Sequence, residues 1–140
     1  MKKTLFYISL MMVVLALGAC TRNHGDIGIW FGTWHVESIT TGGMPVTVEG
    51  DYFFQFQSHV FRVSLVRDHE QLAESFGTWE ENEDSHTMTV SFPDADTYYL
   101  QMPGLETDNH FTITENSSHE VIFSKTDTTG TSYTYHLNKR

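Results

Sequence analysis

From residue 27 to the C-terminus, apolar and polar positions alternate with period two, in short runs separated by turn residues. Trp30, Gly32, Trp34 and Val36 share one face against Phe31, Thr33, His35 and Glu37, and Thr41-Gly42-Gly43-Met44-Pro45 breaks the run. A second extended segment is predicted from about Val46 through Phe56, with Tyr52, Phe54 and Phe56 on one face. Gln57-Ser58-His59 reads as a tight turn, after which Phe61, Val63 and Leu65 alternate with Arg62, Ser64 and Val66. Arg67 to Ser75 lacks this period and is predicted as one or two helical turns or a long loop. Patterning resumes at Phe76-Gly77-Thr78-Trp79, turns through Asn82 to Ser85, and continues with Met88, Val90 and Phe92 on one face. Pro93-Asp94-Ala95-Asp96 predicts a turn, Thr97 to Met102 a strand, and Pro103-Gly104 a break. The last strands are predicted around Phe111 to Thr114, Val121 to Phe123 and Tyr133 to Leu137.

This makes about eight or nine strands at the spacing of an antiparallel barrel or sandwich. The connections are too short for parallel crossovers, which need roughly a dozen residues each. Closing the sheet on itself removes exposed edges, a hazard for so many β-prone strands. The expected class is all-β, an antiparallel barrel of about eight to nine strands.

The N-terminus is of a different kind. Met1-Lys2-Lys3 is basic, and Leu5 to Ala19 is apolar apart from Ser9. That run is shorter than the about 20 residues a spanning helix needs, so residues 1–19 read as a secretory signal peptide. It ends in Leu17-Gly18-Ala19-Cys20, which resembles the bacterial lipobox. The resemblance implies cleavage before Cys20 and its lipidation by acyl chains such as palmitate, with residues 20–27 as anchor and tether and residues 28–140 as the barrel. Each buried methylene contributes about 0.8 kcal/mol, so several acyl chains hold such a protein firmly on a bilayer. Thr21 stands where an aspartate favours inner-membrane retention in well-studied lipoproteins, which implies the outer membrane, on its periplasmic face or at the cell surface.

Composition narrows the classes. The chain has 140 residues, enough for one domain. Acids outnumber bases 18 to 8, for a net charge of −10, and nucleic-acid binding would need the opposite sign. Cleavage after residue 19 removes two lysines and no acid, leaving 6 bases against 18 acids. With one cysteine there is no internal disulfide and no cysteine-based zinc site.

Gly32-Thr33-Trp34 resembles the Gly-x-Trp signature of lipocalins, in which the glycine permits close backbone approach and the tryptophan caps the closed end of the barrel. The order of motifs also resembles the small lipocalin-like lipoproteins of Bacteroides-type bacteria, whose barrels are calycin-like. Phe54-Gln55-Phe56 matches the Phe-x-Phe hairpin that follows the first Gly-x-Trp strand, and Gly77-Thr78-Trp79 a mid-chain Gly-x-Trp. Met88-Thr89-Val90 matches a Leu-Thr-Leu-type strand, and Tyr133-Thr134-Tyr135-His136-Leu137 with Lys139 matches the closing strand and its base. The likeness runs from about Ile29 to Lys139. It implies a basic residue, Lys139 or Arg140, packed over Trp34, a contact worth about 0.5–2 kcal/mol. Asp127-Thr128-Thr129 resembles a short O-glycosylation acceptor of the same bacteria.

Candidate chemistry is sparse. None of the eight histidines forms His-x-x-x-His or His-x-His, so no metal site is predicted, and no motif favours haem at Met88 or Met102. Glu80, Glu81, Glu83 and Asp84 lack the glycine of a calcium loop and read as a solvated turn. The Phe-Gly-Thr-Trp segments at Phe31 and Phe76 read as two core strands with similar packing needs. No nucleophile elbow, phosphate loop or His-Glu-x-x-His occurs, so neither enzyme nor cofactor is expected. Tyr52, Phe54, Phe56, Phe61, Trp79 and Tyr98 are the candidate ligand-lining residues, with Phe92 and Phe123 in the same aromatic set. Barrels of this size lie at the crossover between a filled lumen and one that holds a small ligand, and the sequence leaves both open, favouring the packed core. The leading expectation is non-catalytic binding of a small apolar molecule or glycan fragment inside or at the mouth of the barrel. The alternative is a structural or interaction lipoprotein with a packed core, meeting a protein partner through its acidic surface. An inhibitor of a cationic enzyme would also suit the charge.

Overall fold

The structure, a computed structural model, describes residues 28–93 and 102–140. A 3-10 turn at Gly28–Trp30 leads into β1 (Gly32–Thr41), and Gly42-Gly43 turns the chain into the short β2 (Met44–Pro45). Then follow β3 (Asp51–Gln57), β4 (Val60–Arg67), β5 (Glu70–Asn82), β6 (Thr87–Ser91), β7 (Asp108–Asn116), β8 (Glu120–Thr126) and β9 (Ser132–Lys139). Every pairing of these strands is antiparallel. The sheet order runs from β1 through β3 to β9, and β9 pairs back onto β1, from Trp34 opposite Lys139 to Thr41 opposite Tyr133. The result is a closed all-β barrel of eight strands, with β2 as an extra strand beside β1.

Period two becomes inside and outside. Along β3, Tyr52, Phe54 and Phe56 are buried between more exposed neighbours, and the same alternation holds for Met88 and Val90 on β6 and for Val121, Phe123 and Lys125 on β8. The inward side chains form one core in which aromatic rings dominate. Phe54 meets Phe61 edge-on at 5.1 Å and lies parallel to Phe123 at 6.2 Å, and Phe111 meets Phe123 at 4.4 Å. Edge-on and offset rings gain more than their buried area alone provides.

Three sequence expectations need correction. The stretch from Arg67 to Ser75 is neither helical nor a long loop: β4 and β5 meet in a tight turn at Asp68-His69, both with positive φ, and β5 starts at Glu70. Its period is hidden because the β4–β5 register skips Leu72, pairing Leu65 with Ala73 and Val66 with Gln71, and such a bulge shifts which side chains face inward. The segment expected to start near Val46 becomes a strand only at Asp51, because residues 46–50 form an irregular loop. Trp30 sits in the 3-10 turn ahead of β1, not within that strand. The strand expected over Thr97 to Met102 lies outside the described residues except for Met102, which is in a bend.

Candidate functional site

The two barrel ends differ in chemistry. At one end, Trp30 and Trp34 are both buried, with ring centroids 6.3 Å apart, and Trp30 also meets Phe56 at 5.2 Å and Trp79 at 6.4 Å. The indole N–H of Trp34 donates to the Trp30 carbonyl at 3.1 Å, and that of Trp30 donates to Glu81 at 2.5 Å. Glu81 therefore differs from the solvated-turn reading of its cluster: it is half-buried and tied to the core. Gly32 has φ +114°, and a Cβ there would come within 3.3 Å of the Lys139 side chain. Lys139 lies over Trp34 at 5.1 Å from the ring centroid, while Arg140 lies over Phe53 at 5.5 Å. Of the two bases that the resemblance offered, Lys139 covers Trp34.

The opposite end, the mouth, receives the 46–50 loop, the β4–β5 turn, the described ends of the β6–β7 connection and the β8–β9 turn. The described part of the β6–β7 connection, residues 102–107, packs into this end. Met102 and Leu105 are buried in the core, and the residues around them are clamped by polar groups. Lys125, at an inward position of β8 with its side chain 1% exposed, donates from Nζ to the Gly104 carbonyl at 2.5 Å, Asn109 Oδ1 at 2.7 Å and Glu106 Oε2 at 3.1 Å. Asn109 is fully buried and donates to the carbonyls of Glu106 and Val90. The Tyr135 hydroxyl donates to the Pro103 carbonyl at 2.6 Å, and burial pushes its pKa up. The other Glu106 oxygen accepts the Thr128 hydroxyl at 2.6 Å and the Thr128 N–H at 3.0 Å. These hydrogen bonds and the Lys125 charge hold the Glu106 carboxyl below its ordinary range. Thr129 and Thr131 do the same for Asp127, chiefly through the Thr129 hydroxyl. Both threonine hydroxyls of the acceptor-like Asp127-Thr128-Thr129 are thus engaged within the protein.

The alternation that buries Val121 and Phe123 also places Lys125 inward, and that which buries Phe111 places Asn109 inward. The sequence therefore carried a signal for this clamp that motif reading passed over.

Across the mouth from the clamp, a recess of about 10 Å³ opens beside β3, β4 and β5, room for roughly one water. Tyr52, Val63, Leu65, Ala73 and Ser75 line it, with Ser64 and Glu74 completing its wall. Burial raises the Tyr52 pKa and so favours the neutral phenol. Ser75 is 2% exposed, and its hydroxyl has no hydrogen-bond partner among the described residues. The Glu74 carboxylate is taken by Arg62 at 3.2 Å.

Of the candidate ligand-lining residues, Tyr52 borders the recess, while Phe54, Phe56, Phe61 and Trp79 are buried and pack against other rings. Tyr98 and Cys20 lie outside the described residues. Among the described residues, no group of three or more histidine or acidic side chains is placed to hold a metal ion.

The backbone is similar to that of a lipocalin-like protein from Bacteroides uniformis, with TM-score 0.64 and 16% identity over 81% of this chain and 100% of that one. It is also similar to an uncharacterized protein from Bacteroides eggerthii, with TM-score 0.62 and 15% identity over 79% of this chain and 99% of that one. No family model and no curated protein matches the sequence. The chain has the lipocalin-like barrel fold.

Proposed function

We propose that this lipocalin-like barrel is a non-catalytic, lipid-anchored binding protein of the outer membrane that takes a small apolar molecule at its mouth. The carrying observation is the partly buried apolar surface at the mouth, where Leu65 and Ala73 border a recess of one water's size. Val46, Val48, Leu65 and Tyr133, half-buried and packed against the core, add apolar surface at the same end. Small-molecule sites are mostly apolar, with few polar groups that orient the guest. A glycan fragment would need many hydrogen-bond partners, and the recess offers few. The anchor rests on the apolar run Leu5 to Ala19 and on Cys20 that follows it.

Two measurements test this. The Cys20→Ser chain should leave the membrane fraction, and retention there would overturn the anchor. Native mass spectrometry of that released chain should show a bound apolar molecule, or stoichiometric uptake of an added apolar fluorophore. Absence of both would favour a second reading, an interaction lipoprotein meeting its partner through the acidic surface. That reading is favoured by the ring packing that fills the barrel from Trp30 to Phe123.

A further inference from the structure

Four large apolar side chains stand exposed among the described residues: Phe31, Met44, Val60 and Phe76. Met44 is on β2 at the mouth, whereas the register gathers the other three on one side of the closed end. Val60 opens β4, paired with Gln57 and with Thr78. Phe76 faces Arg62 and is the diagonal neighbour of Val60, a separation of about 7–8 Å that large side chains bridge. Through Arg62 and Gln55 its row continues to Thr33, the second residue of β1. Phe31 is bridged to Phe56, the residue before Gln57. Alternation turns Val60 and Phe76 outward, because Phe61, Ser75 and Trp79 are buried. A contiguous apolar patch, unlike apolar residues scattered singly, marks a contact surface.

The chain enters the barrel beside this patch, at the Gly28–Trp30 turn. Residues 20–27 are all that separate Gly28 from an acylated Cys20, and at full extension they reach at most about 29 Å. β1 alone rises about 33 Å along its axis, and a tilt of about 40° sets the mouth roughly 25 Å from the closed end. A mouth-down pose would draw the tether almost to its limit along the barrel wall. A pose with the closed end towards the bilayer needs no such stretch and brings Phe31, three residues beyond Gly28, within reach of the lipid. Charge selects the side. Glu80, Glu83 and Asp84, exposed at the β5–β6 turn, oppose approach to phosphate headgroups on theirs. Beside the patch stand Arg62, paired with Glu74, and Arg140, over Phe53, whose long stems let a charged head reach the headgroups.

We propose that Phe31, Val60 and Phe76 form the face on which the anchored barrel rests on the bilayer, its side chains entering the headgroup region and its mouth turned to the aqueous side. This rests on the reading of Cys20 as a lipid anchor and adds which face meets the membrane. The patch is too small to hold the protein on a membrane by itself. The anchor keeps it at high effective concentration beside the lipid, where a weak apolar contact is enough to fix an orientation. Aromatic side chains suit the membrane–water interface, where one edge meets the apolar boundary and the surroundings stay wet.

The test uses the full chain, processed in bacterial membranes and reconstituted into phosphatidylcholine vesicles that carry a nitroxide on a fraction of their headgroups. Cys20 is the chain's one cysteine, so with its thiol acylated a single added cysteine takes a nitrobenzoxadiazole label. The label goes to Thr78→Cys within the patch, to Asp84→Cys at the same end on the acidic turn, or to Met44→Cys at the mouth. On vesicles, the Thr78→Cys label should shift to the blue and be quenched by the nitroxide, while the other two keep their emission in water. Adding Phe31→Ser, Val60→Ser and Phe76→Ser should abolish the response at Thr78→Cys while the chain still floats with the vesicles. Equal quenching at Thr78→Cys and Asp84→Cys, stronger quenching at Met44→Cys, or a response that survives the three serines would overturn the docked face. So would a silent Thr78→Cys label on a chain that floats, and the anchor would stand. A chain that does not float would overturn the anchor itself, and the docked face with it.

Discussion

Lys139 Nζ lies 5.1 Å from the centre of the Trp34 ring and donates a hydrogen bond to the Ile29 carbonyl at 2.7 Å. One side chain from the last strand thus covers the first-strand tryptophan and ties down the turn that brings Trp30 into the core. The register that pairs Trp34 with Lys139 also closes the barrel. Lys139→Ala should therefore cost about 1–3 kcal/mol, the cation–π contact and the hydrogen bond together. Arg140→Ala, on the exposed residue over Phe53, should cost under about 1 kcal/mol. Urea denaturation of both variants checks this, and equal losses would show that the Trp34 contact carries no special weight.

The mouth clamp should be the costlier place to lose a lysine. Lys125 is enclosed, and Lys125→Met leaves Asn109 Oδ1, the Gly104 carbonyl and Glu106 each without one donor. Breaking a buried pair by removing one partner costs roughly 3–5 kcal/mol, and the partial exposure of Glu106 puts this variant near the lower end. Arg67→Ala, at an ion pair whose side chains are 51% and 88% exposed, should change stability by less than about 1 kcal/mol. Denaturation midpoints of the two variants make the comparison directly.

The same clamp sets the acid limb of stability. The folded-state pKa of Glu106 is lowered, so its contribution is fully present above the ordinary value of 4.5 and is lost as pH falls below that value through the folded pKa. Glu106→Gln should lower stability at neutral pH and flatten the decline below pH 4.5. At the alkaline end the sign reverses. The Tyr135 pKa is raised, so its contribution is intact below 10.0 and is lost as pH rises beyond it. Melting temperature against pH reads both limbs, and an unchanged acid slope in Glu106→Gln would remove Glu106 from the account.

Gly104 meets two constraints at once. Its φ is +79°, and an added Cβ would collide with the Tyr135 hydroxyl and approach Tyr133 Cδ2 to 2.5 Å. Gly104→Ala must strain the backbone or push the Tyr135 hydroxyl from the Pro103 carbonyl, at a cost of about 1–3 kcal/mol. Loss of near-ultraviolet circular dichroism from the displaced tyrosine would accompany the drop in stability, and a variant as stable as the parent would refute the close packing.

The barrel was legible because period two survives wherever a strand has one wet face. Tyr52-Phe53-Phe54-Gln55-Phe56 and Met88-Thr89-Val90 announce their inward faces directly. It failed at Arg67 to Ser75, where the skipped Leu72 breaks the parity, and at Trp30, whose burial comes from a turn rather than from strand alternation. The mouth was less legible still. The Lys125 clamp joins residues 16 to 21 positions apart, and reading it requires knowing which strand ends meet. Ser75 carried no sequence signal: a serine on an inward face is informative only once its neighbours are seen to leave it unpaired.

Phe54 tests whether the aromatic interior is structural filling. It is fully buried, faces Phe61 and Phe123, and pairs across the sheet with Trp34 and Val63. Phe54→Ala removes a ring from the middle of this stack, where the surrounding strands are tied by the closed hydrogen-bond ladder and cannot collapse far. The cost should be about 3–5 kcal/mol, the transfer of the ring plus the void it leaves. Phe76→Ala, on the outer wall and 54% exposed, should fall within roughly 0.5 kcal/mol of the parent. An apolar void of that size stays dry and takes up a benzene-sized guest. Benzene should therefore raise the melting temperature of Phe54→Ala and leave that of the parent unchanged. A comparable rise in the parent would mean that its lumen is already hollow at Phe54, and a Phe54→Ala loss as small as that of Phe76→Ala would mean that the ring is not part of a tightly packed core.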